Sequence, residues 1–213
     1  MSNDALIAAL SSGLAPVQRR SLMREGALLV ALCGMELALF LAMGAMRPDM
    51  RHAADSPYLM WRVGSLALLA VTACAVAIRS FSPAARTRPG LILAGGLAAA
   101  AIVAGMFVTP SGAAHRALLD RIDPASGMVC ATSIVVLSLP VMALLGALMR
   151  RAAPTQPRRS ALAAGLAAGT CGAFAFAFCC PFDDPLYAVV WYSIGCGAVT
   201  AAARWCLPRR FRL

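Results

Sequence analysis

Three of the chain's eight cysteines stand where a thiol can do chemistry. Cys179 and Cys180 are neighbours in Phe178-Cys179-Cys180-Pro181-Phe182-Asp183-Asp184-Pro185-Leu186, a short acidic turn pinched between two long apolar runs. Cys130 opens another apolar run. Thiols facing an oxidising compartment form disulfides, and an accessible thiolate binds soft metals such as copper(I) or zinc. Adjacent cysteines are poorly placed to pair with each other, so the pairs on offer are Cys130–Cys180 and Cys130–Cys179. Either requires Cα atoms within about 7 Å. Cys33, Cys74, Cys171, Cys196 and Cys206 fall within apolar runs or near their ends, where free cysteine packs as a small hydrophobe. No C-x-x-C motif, Ser/His/Asp set, phosphate loop or metalloprotease signature is present. The expectation is a protein that is not an enzyme and has no obligatory cofactor. His52 and His115 are solitary loop histidines. Glu36 is the one acid deep in an apolar run, a functional candidate by default, but a lone carboxylate makes no ion path and a hydrogen-bonded structural role is expected.

For these thiols to act together, the rest of the chain must bring them to one place. Of 213 residues, 61% are apolar and 13% charged, against about half and a quarter in soluble domains. The apolar residues form six blocks, at about 26–46, 59–79, 91–109, 128–149, 160–180 and 186–206. Each is near the ~20 residues that cross a ~30 Å hydrocarbon core. The first is no cleaved signal: it is too long, no A-x-A site follows it, and five further runs come after. The expected fold is all-α, a polytopic bundle of six transmembrane helices spanning residues 26–206. A cytoplasmic segment, 1–25, precedes it and a basic tail, 207–213, follows.

Arginine orients the bundle, because basic residues collect on the cytoplasmic side. The net charge of +10 is carried by arginine alone, and it flanks the runs in the manner of membrane topology rather than of a nucleic-acid surface. Fourteen arginines fall in the two termini and the second and fourth loops, and four in the first and third loops. Both termini are therefore expected in the cytoplasm, with Cys130, Cys179 and Cys180 on the opposite side. Arg62, just inside the second run, is expected to snorkel outward. Gly165-x-x-x-Gly169, extended by Gly172, reads as a close-packing face within the bundle, and Gly95, Gly96, Gly195 and Gly197 offer similar faces.

In the first segment, Ala5, Leu6, Ala9, Leu10 and Gly13 or Leu14 make a one-sided helical stripe that Pro16 ends. From Cys130 onward the chain reads C-x3-I-x2-L-S-x-P, then L-x-R-R-A-A-P-x-x-P, the small residues of 165–172, C-P-x-D-D-P, Trp191-Tyr192 and Arg204-Trp205. With the leader Ala5–Leu10 and Leu14-Ala15-Pro16-Val17-x-Arg19, this ordered set resembles the NrsF-type anti-sigma factors, six-helix inner-membrane proteins that restrain an extracytoplasmic-function sigma factor. The resemblance covers nearly the whole chain and is strongest over 128–206. It implies that the N-terminal segment binds the sigma factor, with Leu6, Ile7, Leu10, Leu14 and Val17 in a groove of the partner; Arg19, Arg20 and Arg24 are expected either to add attraction to its acidic surface or to serve topology alone. It also implies that Cys130 and Cys180 sense metal or oxidant, with copper or zinc as regulatory ligands, and release the sigma factor in a stress response. Many members have His before the second cysteine where this chain has Cys179, so either neighbour can be the sensor, and Cys179 can add a third ligand. No direct contact with nucleic acid is implied. The competing reading is a small metal-ion or solute transporter, against which stands the lack of polar residues along an internal path. Loss of the first 20 residues separates the two, abolishing regulation but sparing transport.

Overall fold

The structure, a computed structural model, describes residues 7, 11, 21–44, 47, 56–82, 87–108, 121–152 and 154–209. Among them run six helices: α1 Leu22–Ala42, α2 Pro57–Ser80, α3 Thr87–Phe107, α4 Pro124–Ala152, α5 Pro157–Ala177 and α6 Pro185–Arg209. All six are long and apolar enough to cross a membrane. The protein is an all-α, polytopic membrane bundle.

Local chemistry sets where the helices begin. Proline stands at the first position of α2, α4, α5 and α6, where its fixed φ suits the helix and its missing N–H costs nothing. Ser56 caps α2 by accepting from the Leu59 amide at 3.2 Å, and Ser21 caps α1 by accepting from Arg24 at 3.3 Å. That cap starts α1 at Leu22, four residues before the start expected from hydropathy, because polar Arg24 and Glu25 fit the first helical turn. Asp123 precedes α4 with a φ of +35°, a left-handed conformation that Asp tolerates better than most residues.

Helix α5 is the centre of the bundle, with 72% of its apolar stretch buried against 6% of α1 and 11% of α3. Its composition explains this. Alanine and glycine let neighbouring backbones approach closely, the main source of helix association in lipid. A Cβ on Gly165 would lie 2.7 Å from the Thr200 Cα, and one on Gly169 3.1 Å from the Cys196 Cα, so the expected small-residue face packs on α6. Gly172 faces α4 instead, against Ser138. Gly195 abuts Ile134, but Gly95, Gly96 and Gly197 meet nothing within 4 Å and form no packing face. Helices α2, α4 and α6 surround α5, while α1 and α3 lie outside them and present Val30, Met35, Leu39, Ile92, Val103 and Phe107 outward.

Candidate functional site: a thiol pair under an arginine-held turn

The α5–α6 turn, residues 178–184, closes the end of the bundle opposite the start of α1 and the end of α6. Helix α5 stops at Ala177, three residues before the end expected from hydropathy, so Cys179 and Cys180 sit in the turn rather than on the helix. The stop has a long-range cause. Arg62, from the second turn of α2, reaches the carbonyls left free at the end of α5 and in the turn. It donates to Ala177 O at 2.7 Å, Phe182 O at 3.0 Å and Cys180 O at 3.2 Å, and to the Tyr58 hydroxyl at 3.2 Å. Tyr58 in turn donates to Phe182 O at 3.2 Å. Arg62 does not snorkel as its position suggested: only 2% of it is exposed. A guanidinium with five fixed donors is better matched by inward-facing carbonyls than a single outward path to water would be.

Two more arginines fix the acidic residues of the turn. Arg47, beyond α1, makes a two-pronged ion pair with Asp183 and donates its backbone N–H to Phe178 O at 3.3 Å. Arg121, before α4, pairs with Asp184 at 2.8 and 2.9 Å. Asp184 also caps α6 by accepting from the Leu186 amide at 2.9 Å. Burial works against the Asp184 charge, but Arg121 and the amides outweigh it and hold the carboxyl below its usual range. Each arginine comes from a different loop, so the turn ties together the chain before α2, the chain before α4 and the start of α6.

Beneath this turn lie the thiols. Cys130, in the second turn of α4, and Cys180 are 2% and 1% exposed and share one apolar cluster with Tyr58, Tyr187, Trp191 and Tyr192. Each thiol biases the ionisation of the other across that cluster. The hydroxyl of Tyr187 faces Cys130 and that of Tyr192 faces Cys180, neither meeting full hydrogen-bond geometry. Trp191 holds the start of α4 in place: its indole N–H donates to Ile122 O at 2.7 Å, and its ring fills the space a side chain at Gly127 would need. Phe182 stacks on Tyr187 at 4.4 Å between centroids.

The environment makes the neighbouring thiols unequal. Cys180 is pulled down to about 6 by the neighbouring Cys130 thiol and then, against its burial, by Arg62 and the Phe182 amide. Cys179 is pushed up to about 11 by burial and by Cys180. Of the two neighbours, Cys180 shares the buried cluster of Cys130, whereas Cys179 is half-buried and bonded through its amide to Phe176 O at 3.0 Å. Among the described residues no three His, Cys, Asp or Glu are grouped to hold a metal ion.

The N-terminal candidates fare differently. Ile7 is helical and 63% exposed. Leu6, Leu10, Leu14, Val17, Arg19 and Arg20 lie outside the described residues, as do His52 and His115. What the sequence reading missed was the role of Arg62, Arg47 and Arg121. One signal was available: a lone arginine within an apolar run is as costly as Glu36 and merits the same functional reading.

Comparison with known proteins fits this picture. Residues 10–213 match the family NrsF, negative regulator of sigma F. The anti-sigma-F factor NrsF of Caulobacter vibrioides (strain NA1000 / CB15N) is 30% identical over 204 residues, covering 95% of this chain and 93% of that protein. The probable anti-sigma-F factor NrsF of Azospira oryzae (strain ATCC BAA-33 / DSM 13638 / PS) is 30% identical over 202 residues, covering 92% of each. No solved structure matches. The chain belongs to the NrsF family of negative regulators of sigma F.

Proposed function

We propose that this protein is an inner-membrane anti-sigma factor that holds an extracytoplasmic-function sigma factor through residues 1–25 and releases it when Cys130 and Cys180 are joined. Both termini lie in the cytoplasm and the arginine-held turn faces the periplasm, a reading that the arginine distribution supports. The observation that carries the reading is the burial of Cys130, on α4, and Cys180, in the turn after α5, in one cluster beneath the arginine-held turn. Two buried thiols on different elements, one of them acidified, are poised for one of two events. An oxidant that accepts two electrons converts them to a disulfide with loss of two protons. A soft ion such as copper(I) takes both as thiolates. Zinc, which favours four ligands, suits the pair less well.

Joining the thiols changes function only through a difference in affinity for two arrangements of the bundle. The turn is where such a difference arises. Drawing Cys180 toward Cys130 pulls on the backbone that Arg62 holds through the Cys180 and Phe182 carbonyls, and so on α2. Helix α1 packs on α2, α4 and α5 and leads directly to the N-terminal segment.

Deletion of residues 1–20 tests the output. The truncated protein is expected to insert in the membrane and lose co-purification with its sigma factor. Retention of the sigma factor by the truncated protein places the binding surface elsewhere and overturns the assignment.

A further inference from the structure

A second group of thiols lies inside the bundle, away from the turn. Cys171, on α5, has its Sγ 3.5 Å from the Sγ of Cys74 on α2. Cys33, on α1, faces the same space. All three line an apolar cavity of about 480 Å³ between α1, α2 and α5. Glu36 is the one other ionisable side chain on its wall. Val30 and Val71, 72% and 69% exposed, stand at its rim and open it to the side of the bundle that faces lipid.

The cavity restricts what these thiols can take. A bound cation would place charge in an apolar site within the bilayer, which is costly, and the described residues include no group of three or more metal-ligating side chains. An uncharged trivalent arsenical avoids both obstacles. In Ph–As=O + 2 RSH → Ph–As(SR)2 + H2O, two As–S bonds form while two S–H bonds and the As=O bond break. The oxygen leaves as water carrying both thiol protons. Arsenic stays trivalent, no oxidant is needed and the product is neutral. A sulfur separation of 3.5 Å suits two thiolates on one atom with little movement. An apolar cavity of ~150 Å³ suffices to bind benzene, so a space of about 480 Å³ accommodates the aryl group.

We propose that Cys171, with Cys74 or Cys33, forms an intramembrane dithiol site for uncharged trivalent arsenicals, with Cys171 as the shared member of either pair. The adduct ties α5 to α2 or to α1. The proposal concerns binding alone and does not rest on sigma release.

Phenylarsine oxide is the probe, added to full-length protein in lipid nanodiscs after Cys130, Cys179 and Cys180 are replaced together by Ser. Intact-mass measurement is expected to show one phenylarsenic per chain, removed by a competing dithiol. Adding Cys171→Ala is expected to lower binding at least tenfold, as is the double change Cys33→Ala with Cys74→Ala, whereas Cys206→Ala leaves it unchanged. In otherwise unaltered protein, the probe is expected to shield Cys171 from a membrane-permeant maleimide, a readout that needs no variant to fold. An adduct that forms only when the outer cysteines are present, or that survives Cys171→Ala undiminished, overturns the proposal.

Discussion

The guanidinium of Arg62 directs its donors at three carbonyls, one ending α5 and two in the turn after it, and lies beside the thiol that this turn carries. Replacing it with Met strands those carbonyls in an apolar site. Hydrogen bonds to charged groups contribute about 1.5–3 kcal/mol each, so Arg62→Met is expected to destabilise the bundle by about 3 kcal/mol or more, read as a lower thermal unfolding midpoint in detergent. It should also raise the Cys180 ionisation midpoint above about 6, which ultraviolet thiolate absorbance measures against Cys180→Ser. The accompanying pH dependence has a definite sign. Because Cys180 is more acidic folded than unfolded, its contribution to stability is complete above the ordinary thiol range, about 8.5, and is lost as pH falls through about 6. Wild type should therefore gain stability relative to Cys180→Ser between those limits and match the variant's trend below them. A parallel pair of stability curves across that range would contradict the assignment of the acidic thiol.

Helices meet here on small residues, and substitutions should rank by what lies opposite each glycine. Gly165→Leu and Gly169→Leu drive a side chain into the α6 backbone, and overpacking of this kind costs about 1–3 kcal/mol. Gly197→Leu, on the same helix pair but with open space beside it, should be nearly silent in the same unfolding assay. Gly127→Ala displaces the Trp191 indole from its Ile122 partner and shifts the start of α4, with Cys130 a turn further on. The six helices were legible in the sequence because a bilayer-spanning segment must be long, apolar and continuous. The Gly165–Gly169 face was legible for a similar reason, since periodic small residues have one main use in lipid. The end of α5 was not legible. Hydropathy carries through Cys180, whereas the helix stops where Arg62, more than a hundred positions earlier in the chain, takes its carbonyls. The partners of Asp183 and Asp184 were hidden likewise, since Arg47 and Arg121 are 136 and 63 residues away.

Taken as one body, the protein is a tight core of α5 with α2, α4 and α6, and two looser outer helices, α1 and α3. That asymmetry suits a regulator. The thiol pair and its turn belong to the packed core, whereas α1, which carries the N-terminal segment, has Leu29 as its one fully buried residue. A helix held by so little can change position at small cost when the core rearranges. The sequence indicated which thiols to compare but not that Cys130 and Cys180 share one buried cluster. Distance between α4 and the α5–α6 turn is a product of packing, and Cys179 and Cys180 differ in burial rather than in type. The most direct measurement is retention of the sigma factor by membrane-embedded protein, compared among wild type, Cys130→Ser and Cys180→Ser, before and after treatment with a thiol oxidant or copper(I). The predicted result is release from wild type on treatment, with both variants keeping the sigma factor bound. Equal release from the variants, or no sigma factor retained by any form, would contradict the account.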